Sequence, residues 1–186
     1  MRIHELPDLK VIKIHAIYVD FILDYIFALG STAHKNQPNQ PGHNYAELFD
    51  GDKWFQVDSY PYEEIIWRQA MLYYDTKFYV FGGLIDSSWT NSKFIAHLNK
   101  NLKWHKDGVL IIPRRSHTVI VSQSEFLVIG GHGVDDEPLL TEKCSISEEA
   151  HKSNTRVTCT TQEPLLHQYQ LYPEAFAVPD DYCKSL

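Results

Sequence analysis

The chain has 186 residues, room for one domain or two small ones, and its 44% hydrophobic and 13% aromatic content belongs to a packed globular protein. Seventeen basic against 24 acidic side chains leave a net charge of −7, which excludes the broad positive footprint of a nucleic-acid binder. No uncharged apolar run reaches the roughly 18 residues of a membrane-spanning helix, the nearest stretch (Val11 to Leu29) being broken by Lys13, His15, Asp20 and Asp24, and MRIHELPDLK lacks the apolar centre of a signal peptide.

In chain order, the first element is a short strand closing on glycine, Ile26-Phe27-Ala28-Leu29-Gly30-Ser31. Tyr45-Ala46-Glu47-Leu48 follows, then a turn at Asp50-Gly51-Asp52, then Lys53-Trp54. The same order returns from Arg68 to Tyr74, a turn at Asp75-Thr76-Lys77, and the strand FYVFGG at Phe78 to Gly83. Next come Ile95-Ala96-His97-Leu98, a turn at Lys100-Asn101, and Lys103-Trp104. A third passage opens with Pro113-Arg114-Arg115-Ser116-His117, continues to Val121, turns at Ser122 to Glu125, and ends in FLVIGG at Phe126 to Gly131. Phe126 follows Phe78 by 48 residues, and Trp104 follows Trp54 by 50.

Each β-branched or aromatic run ending in glycine predicts a buried strand, with the glycine supplying backbone angles that a side chain forbids. Each repeat predicts four short antiparallel strands, at roughly 69–74, 78–83, 93–98 and 102–107 in the middle copy. A four-stranded sheet with two apolar faces cannot hide both alone, so neighbouring copies must stack face to face, with tryptophan filling the gap. Four-stranded repeats of this length are the unit of a β-propeller.

The Gly82-Gly83 and Gly130-Gly131 pairs, Trp54, Trp104 and the Pro113-to-His117 lead-in together resemble the kelch repeat. The resemblance covers Ile26 to Gly131 and is strongest from Trp54 onward. The first copy has Leu-Gly-Ser in place of Gly-Gly, and the third lacks its tryptophan. The implied fold is all-β: kelch-type β-propeller blades over 1–160, with an irregular C-terminal tail at 161–186. Three copies are fewer than the typical four to eight blades of a closed propeller, so the expectation is a partial propeller.

In kelch-type substrate receptors a lead-in arginine points into the bowl formed by the inter-blade loops. The resemblance therefore implies partner-binding roles for Arg115 and, one copy earlier, Arg68. Guanidinium groups ringed around a bowl suit acidic peptide side chains, although repeated arginines also serve as architecture. The loops after the glycine pairs add Trp89, His132 and Asp135 as partner-contacting candidates. His132 with Asp135 and Asp136 could hold a divalent cation, but isolated acidic loop residues are ordinarily just solvated, and no metal or other cofactor is expected. His117 is expected to be structural.

Cys144, Cys159 and Cys183 have no C-x-x-C spacing, and a disulfide between two of them would require an oxidising compartment. No N-x-S/T sequon occurs, and a cytoplasmic setting is expected, with a disulfide at Cys159 pointing instead to an extracellular one. Phosphate loops, nucleophile elbows and metalloprotease helices are missing from the sequence, so the expectation is not an enzyme. The resemblance implies a protein-interaction scaffold or substrate receptor binding a peptide or protein through its loop face, without nucleic acid or membrane. A propeller enzyme acting on sugars and an extracellular adhesion propeller are the competing readings.

Overall fold

The structure, a computed structural model, describes residues 21–22, 25–31, 44–58, 60–62, 66–85, 90–134, 140–147 and 156–163. Every regular element among them is a strand: β1 (Phe21–Ile22), β2 (Tyr25–Ser31), β3 (Asn44–Phe49), β4 (Trp54–Val57), β5 (Ile66–Trp67), β6 (Ala70–Tyr74), β7 (Lys77–Ile85), β8 (Thr90–Leu98), β9 (Trp104–Val109), β10 (Thr118–Ser122), β11 (Glu125–Ile129), β12 (Thr141–Ile146) and β13 (Val157–Gln162). The chain is all-β. None of the described segments is a helix long and apolar enough to cross a membrane. The last strand runs two residues into the expected tail, to Gln162.

Pairing divides the strands into three antiparallel meanders. The first is β1-β2-β3-β4. The second is β6-β7-β8-β9, with β5 continuing the β6 edge of β7, and the third is β10-β11-β12-β13. The second and third belong to one hydrogen-bonded sheet only through a single parallel pair, Val157 with Gly108. That junction is reinforced by the Arg156 N–H, which donates to the Asp107 carbonyl at 2.6 Å.

The sequence repeat is a repeat of register. Ile26, Phe49 and Trp54 stand side by side across the first meander. Phe78, Leu98 and Trp104 do the same in the second, and Phe126, Cys144 and Cys159 in the third. Cys159 therefore holds the place of the missing third tryptophan. Its sulfur is bonded to that of Cys144, directly opposite at a Cα separation of 4.0 Å.

Period-2 alternation sends the side chains of each meander to two faces. Phe27, Leu29, Ala46 and Leu48 of the first meander meet Met71, Phe78, Val80 and Leu98 of the second in one core. The other face of the second meander, with Leu72, Tyr79, Phe81 and Ile95, meets Val119, Phe126, Val128 and Val157 of the third. Every β7 residue from Phe78 to Ile85 is buried, as expected for a strand with core on both sides.

The two tryptophans differ from each other in depth. Trp54 is 6% exposed, but Trp104 is only half-buried. Its indole N–H donates to the Asp58 carbonyl at 2.8 Å while its ring stands edge-on to Tyr60. It spans from the second meander to the first.

Candidate functional site

The glycine pairs exist because a connector passes over them. Residues 110–117 link β9 to β10, and their backbone lies directly on both pairs. A Cβ at Gly82 would sit 2.6 Å from the Arg114 carbonyl oxygen, and one at Gly131 would sit 2.6 Å from that of Arg115. Gly82, Gly83, Gly130 and Gly131 all have positive φ, so glycine meets both the steric and the conformational demand. The Gly83 N–H donates to the Arg114 carbonyl, and the Arg114 N–H to the Ser92 carbonyl. These bonds tie the connector to the second meander, and the backbone pair of Arg115 with His132 ties it to the third.

Arg114 is fully buried and holds the seam from inside. Its guanidinium donates to the Gly130 carbonyl at 3.1 Å, the Leu140 carbonyl at 2.8 Å and the Glu142 carboxylate at 2.8 Å. That carboxylate, equally buried, also accepts the N–H groups of Ile111 at 2.7 Å and Ile112 at 3.0 Å. Burial pulls the Arg114 guanidinium below its ordinary range, and Glu142 opposes the shift. Two buried charges are tolerable here because the hydrogen-bonding capacity of the pair is so well used.

Arg115, the neighbour, points elsewhere. It is half-buried, and its guanidinium donates to the Asn91 side-chain carbonyl at 2.6 Å. The Asn91 amide in turn donates to the His132 carbonyl at 2.8 Å, and Arg115 and His132 exchange both backbone hydrogen bonds. The Ser116 N–H donates to the Arg68 carbonyl at 2.8 Å, which brings Arg68 to the same end of the strands. Asn91, Arg115 and His132 thus meet at this end of the strands, with the Arg68 backbone beside them. Trp89, Asp135, Asp136 and Cys183 lie outside the described residues.

The two arginines are not equivalent positions. Arg68 has φ of 57°, matched in the next meander by Ser116 at 53°, each breaking a strand opposite its glycine pair. Trp67, paired with Leu84, corresponds to Arg115, paired with His132. The structural period here is 48, whereas the two arginines stand 47 apart. The shared site is assembled from two different positions of the repeat.

His117 is buried against Gly82 and Gly131, and burial, aided by the nearby Arg114 charge, pushes its pKa down to about 3. It is a neutral structural residue. A second polar group that sequence reasoning missed is His97 with Asp107, Nδ1 to carboxylate at 2.5 Å, both enclosed. Pairing skips from Lys106 to Gly108 opposite Ala96 and Ile95, so Asp107 is the extra residue of a β-bulge. His105 stacks on the His97 ring at 4.9 Å, and burial, with His97 next, lowers its pKa. The repeat carried no signal for this pair: Leu48, His97 and Lys143 occupy the same place in the three third strands, and only the middle copy has a histidine there. Glu142 also lies within 4.8 Å of the Cys144 and Cys159 sulfurs, but the disulfide and the Arg114 pair occupy those donors, which do not fit a metal.

No protein-family model matches the chain, and no curated protein sequence matches it. Solved structures do: 117 chains match, among them the structure of YjhT, with a TM-score of 0.54 at 20% identity. That match covers 69% of this chain and 37% of the YjhT chain, so the present chain spans well under half of that structure's length. At this identity the likeness concerns the fold.

Proposed function

We propose that the three meanders are kelch-type propeller blades and that the chain works as a protein-interaction module, a scaffold or substrate receptor. Its binding face is the strand end carrying Arg68, Arg115 and His132, and its partner is an acidic peptide segment. The observation that carries this reading is the division between adjacent arginines: Arg114 is consumed by architecture, while Arg115 is half-buried at a junction with Asn91 and His132. Arginine in a partly desolvated rim forms charge-assisted, bidentate bonds to carboxylates. The net charge of −7 works against long-range attraction of such a peptide, so affinity must come from close contacts.

The test is binding to an array of Asp- and Glu-rich peptides, with Arg68→Ala/Arg115→Ala beside the parent. Loss of capture with an unchanged thermal transition supports the proposal. Retained capture, or no capture by the parent, overturns it.

A second reading, an extracellular adhesion propeller, is favoured by the Cys144–Cys159 bond, because such bonds persist in oxidising compartments. Thiol counting on native protein separates that setting from the cytoplasmic one. The reading as a sugar-converting propeller enzyme gains no such observation, since the His97–Asp107 pair is sealed in the core.

A further inference from the structure

At the opposite end of β7 and β8 from Arg115, the first and second meanders fail to close completely. A pocket of about 190 Å³ opens there, with Phe27, Leu48 and Phe55 on one side and Phe78, Leu98 and Leu102 on the other. Tyr73, Thr76, Asn99 and Lys100 complete its lining. We propose that this pocket binds a small amphiphilic carboxylate, an alkyl or aryl acid with an apolar body of about five to seven carbons.

The size argument is direct. An apolar protein cavity of about 150 Å³ stays dry and accepts benzene, so a slightly larger one accommodates a single ring or a short alkyl chain. Drug-sized ligands need about 300 Å³ or more, and are too large. The chemical argument rests on what the lining can still bond. A water held inside needs two to four polar partners, to the order of magnitude known for buried waters. Asn99, the obvious candidate, is already committed. Its side-chain oxygen accepts from the Asn101 and Lys103 N–H groups, and its amide nitrogen meets His105 Nε2 at 2.9 Å. With Asn99 committed and Phe27, Leu48, Phe55, Phe78, Leu98 and Leu102 forming most of the wall, the interior favours an apolar occupant over water.

Charge at the rim selects the head group. Lys77 is paired with Asp75 at 3.2 Å, and Lys103 with Asp58 at 2.7 Å. Lys100 is exposed on the lining and has no ion-pair partner among the described residues. A ligand whose tail enters between Phe27 and Leu98 would carry its carboxylate to that ammonium.

The experiment is an amide NMR titration of the isotopically labelled full chain with hexanoate and with hexanamide, its uncharged counterpart. Saturable shifts centred on Leu98 to Leu102 are expected for both probes. Hexanoate should bind about two- to fivefold more tightly, the range an exposed ion pair supplies. Lys100→Ala should abolish that preference and leave hexanamide binding intact. Phe55→Trp should fill the pocket and remove both, with Tyr73→Trp as the alternative filling variant should Phe55→Trp not fold. Absence of saturable shifts, shifts centred on Arg115 instead, a preference that survives Lys100→Ala, or undiminished binding in a folded filled variant would each overturn the proposal.

Discussion

In the middle meander both faces are core. Met71, Phe78, Val80 and Leu98 turn toward the first meander, and Leu72, Tyr79, Phe81 and Ile95 toward the last. In the last meander only one face follows that rule, with Val119, Phe126, Val128, Cys144 and Val157 turned inward. Its other face mixes Thr118, Ile120, Leu127 and Lys143, all half-buried, with the exposed Ser145, Thr158 and Thr160. Lys143 is ion-paired on that face to Glu125, which also accepts the Ser145 hydroxyl. The two backbones share a register offset of 48 residues through their first two strands, from the Ala70–Phe81 pair to the Thr118–Ile129 pair. What changes is the chemistry at every second residue, and that choice decides whether a sheet invites another layer.

The same contrast appears at the tryptophan position. Trp104 reaches across to Tyr60 and Phe27 of the preceding meander, joining two sheets by aromatic contact. Cys159 is too small to reach across in that way. It joins β13 to β12 covalently, within its own sheet. One device holds neighbouring meanders together; the other holds one meander to itself.

The largest expected effect is at the seam between these two regions. Arg114→Met should lose about 3–5 kcal/mol, because the buried Glu142 carboxylate is left without its cation. Adding Glu142→Leu should recover much of that loss, and urea denaturation of the single and double variants measures both. If Arg114→Met unfolds at the parental midpoint, the pair does not hold the seam.

Next come the two devices at equivalent positions. Reducing the disulfide, or Cys159→Ala, should cost about 2–4 kcal/mol for a loop of this length, with hydrogen exchange quickening in β12 and β13. Trp104→Ala should cost about 2–3 kcal/mol, at or below the usual range for large aromatic truncation because the ring is half-buried, with quickened exchange in β4 and β9. Exchange that quickens uniformly in both cases would contradict the assignment of one device to each region.

A pH effect is expected at the seam as well. His117 has a folded pKa of about 3, below the unfolded value near 6.5, so the unfolded chain binds the additional proton between them. Its contribution is complete above about pH 6.5 and is lost as pH falls toward 3, with a slope of at most about 1.4 kcal/mol per pH unit. The lowered pKa of His105 acts in the same direction. Thermal melts across this range should show a shallower acid slope in His117→Gln than in the parent. The smallest effect belongs to the exposed Lys103–Asp58 pair, where Lys103→Ala should change stability by under about 1 kcal/mol.

Strand positions were legible in the sequence because the repeat places the same alternation and turns three times. The glycine pairs were legible as strand ends, but their partner, the connector backbone, was not, since a close approach leaves no periodic trace. The roles of Arg114 and Arg115 could not be separated by spacing alone: a single residue of offset turns one inward and the other outward. Glu142, which decides the matter, lies 28 residues further along the chain. Cys159 became readable as a tryptophan substitute only once the register of β12 and β13 was known.

The most direct measurement compares Arg114→Ala and Arg115→Ala side by side, recording the thermal midpoint and capture of the acidic peptides. The expected result is a large fall in midpoint for Arg114→Ala, and a near-parental midpoint with weakened capture for Arg115→Ala. If Arg115→Ala instead melts early, or captures the peptides as well as the parent does, the division between an architectural and a binding arginine is wrong.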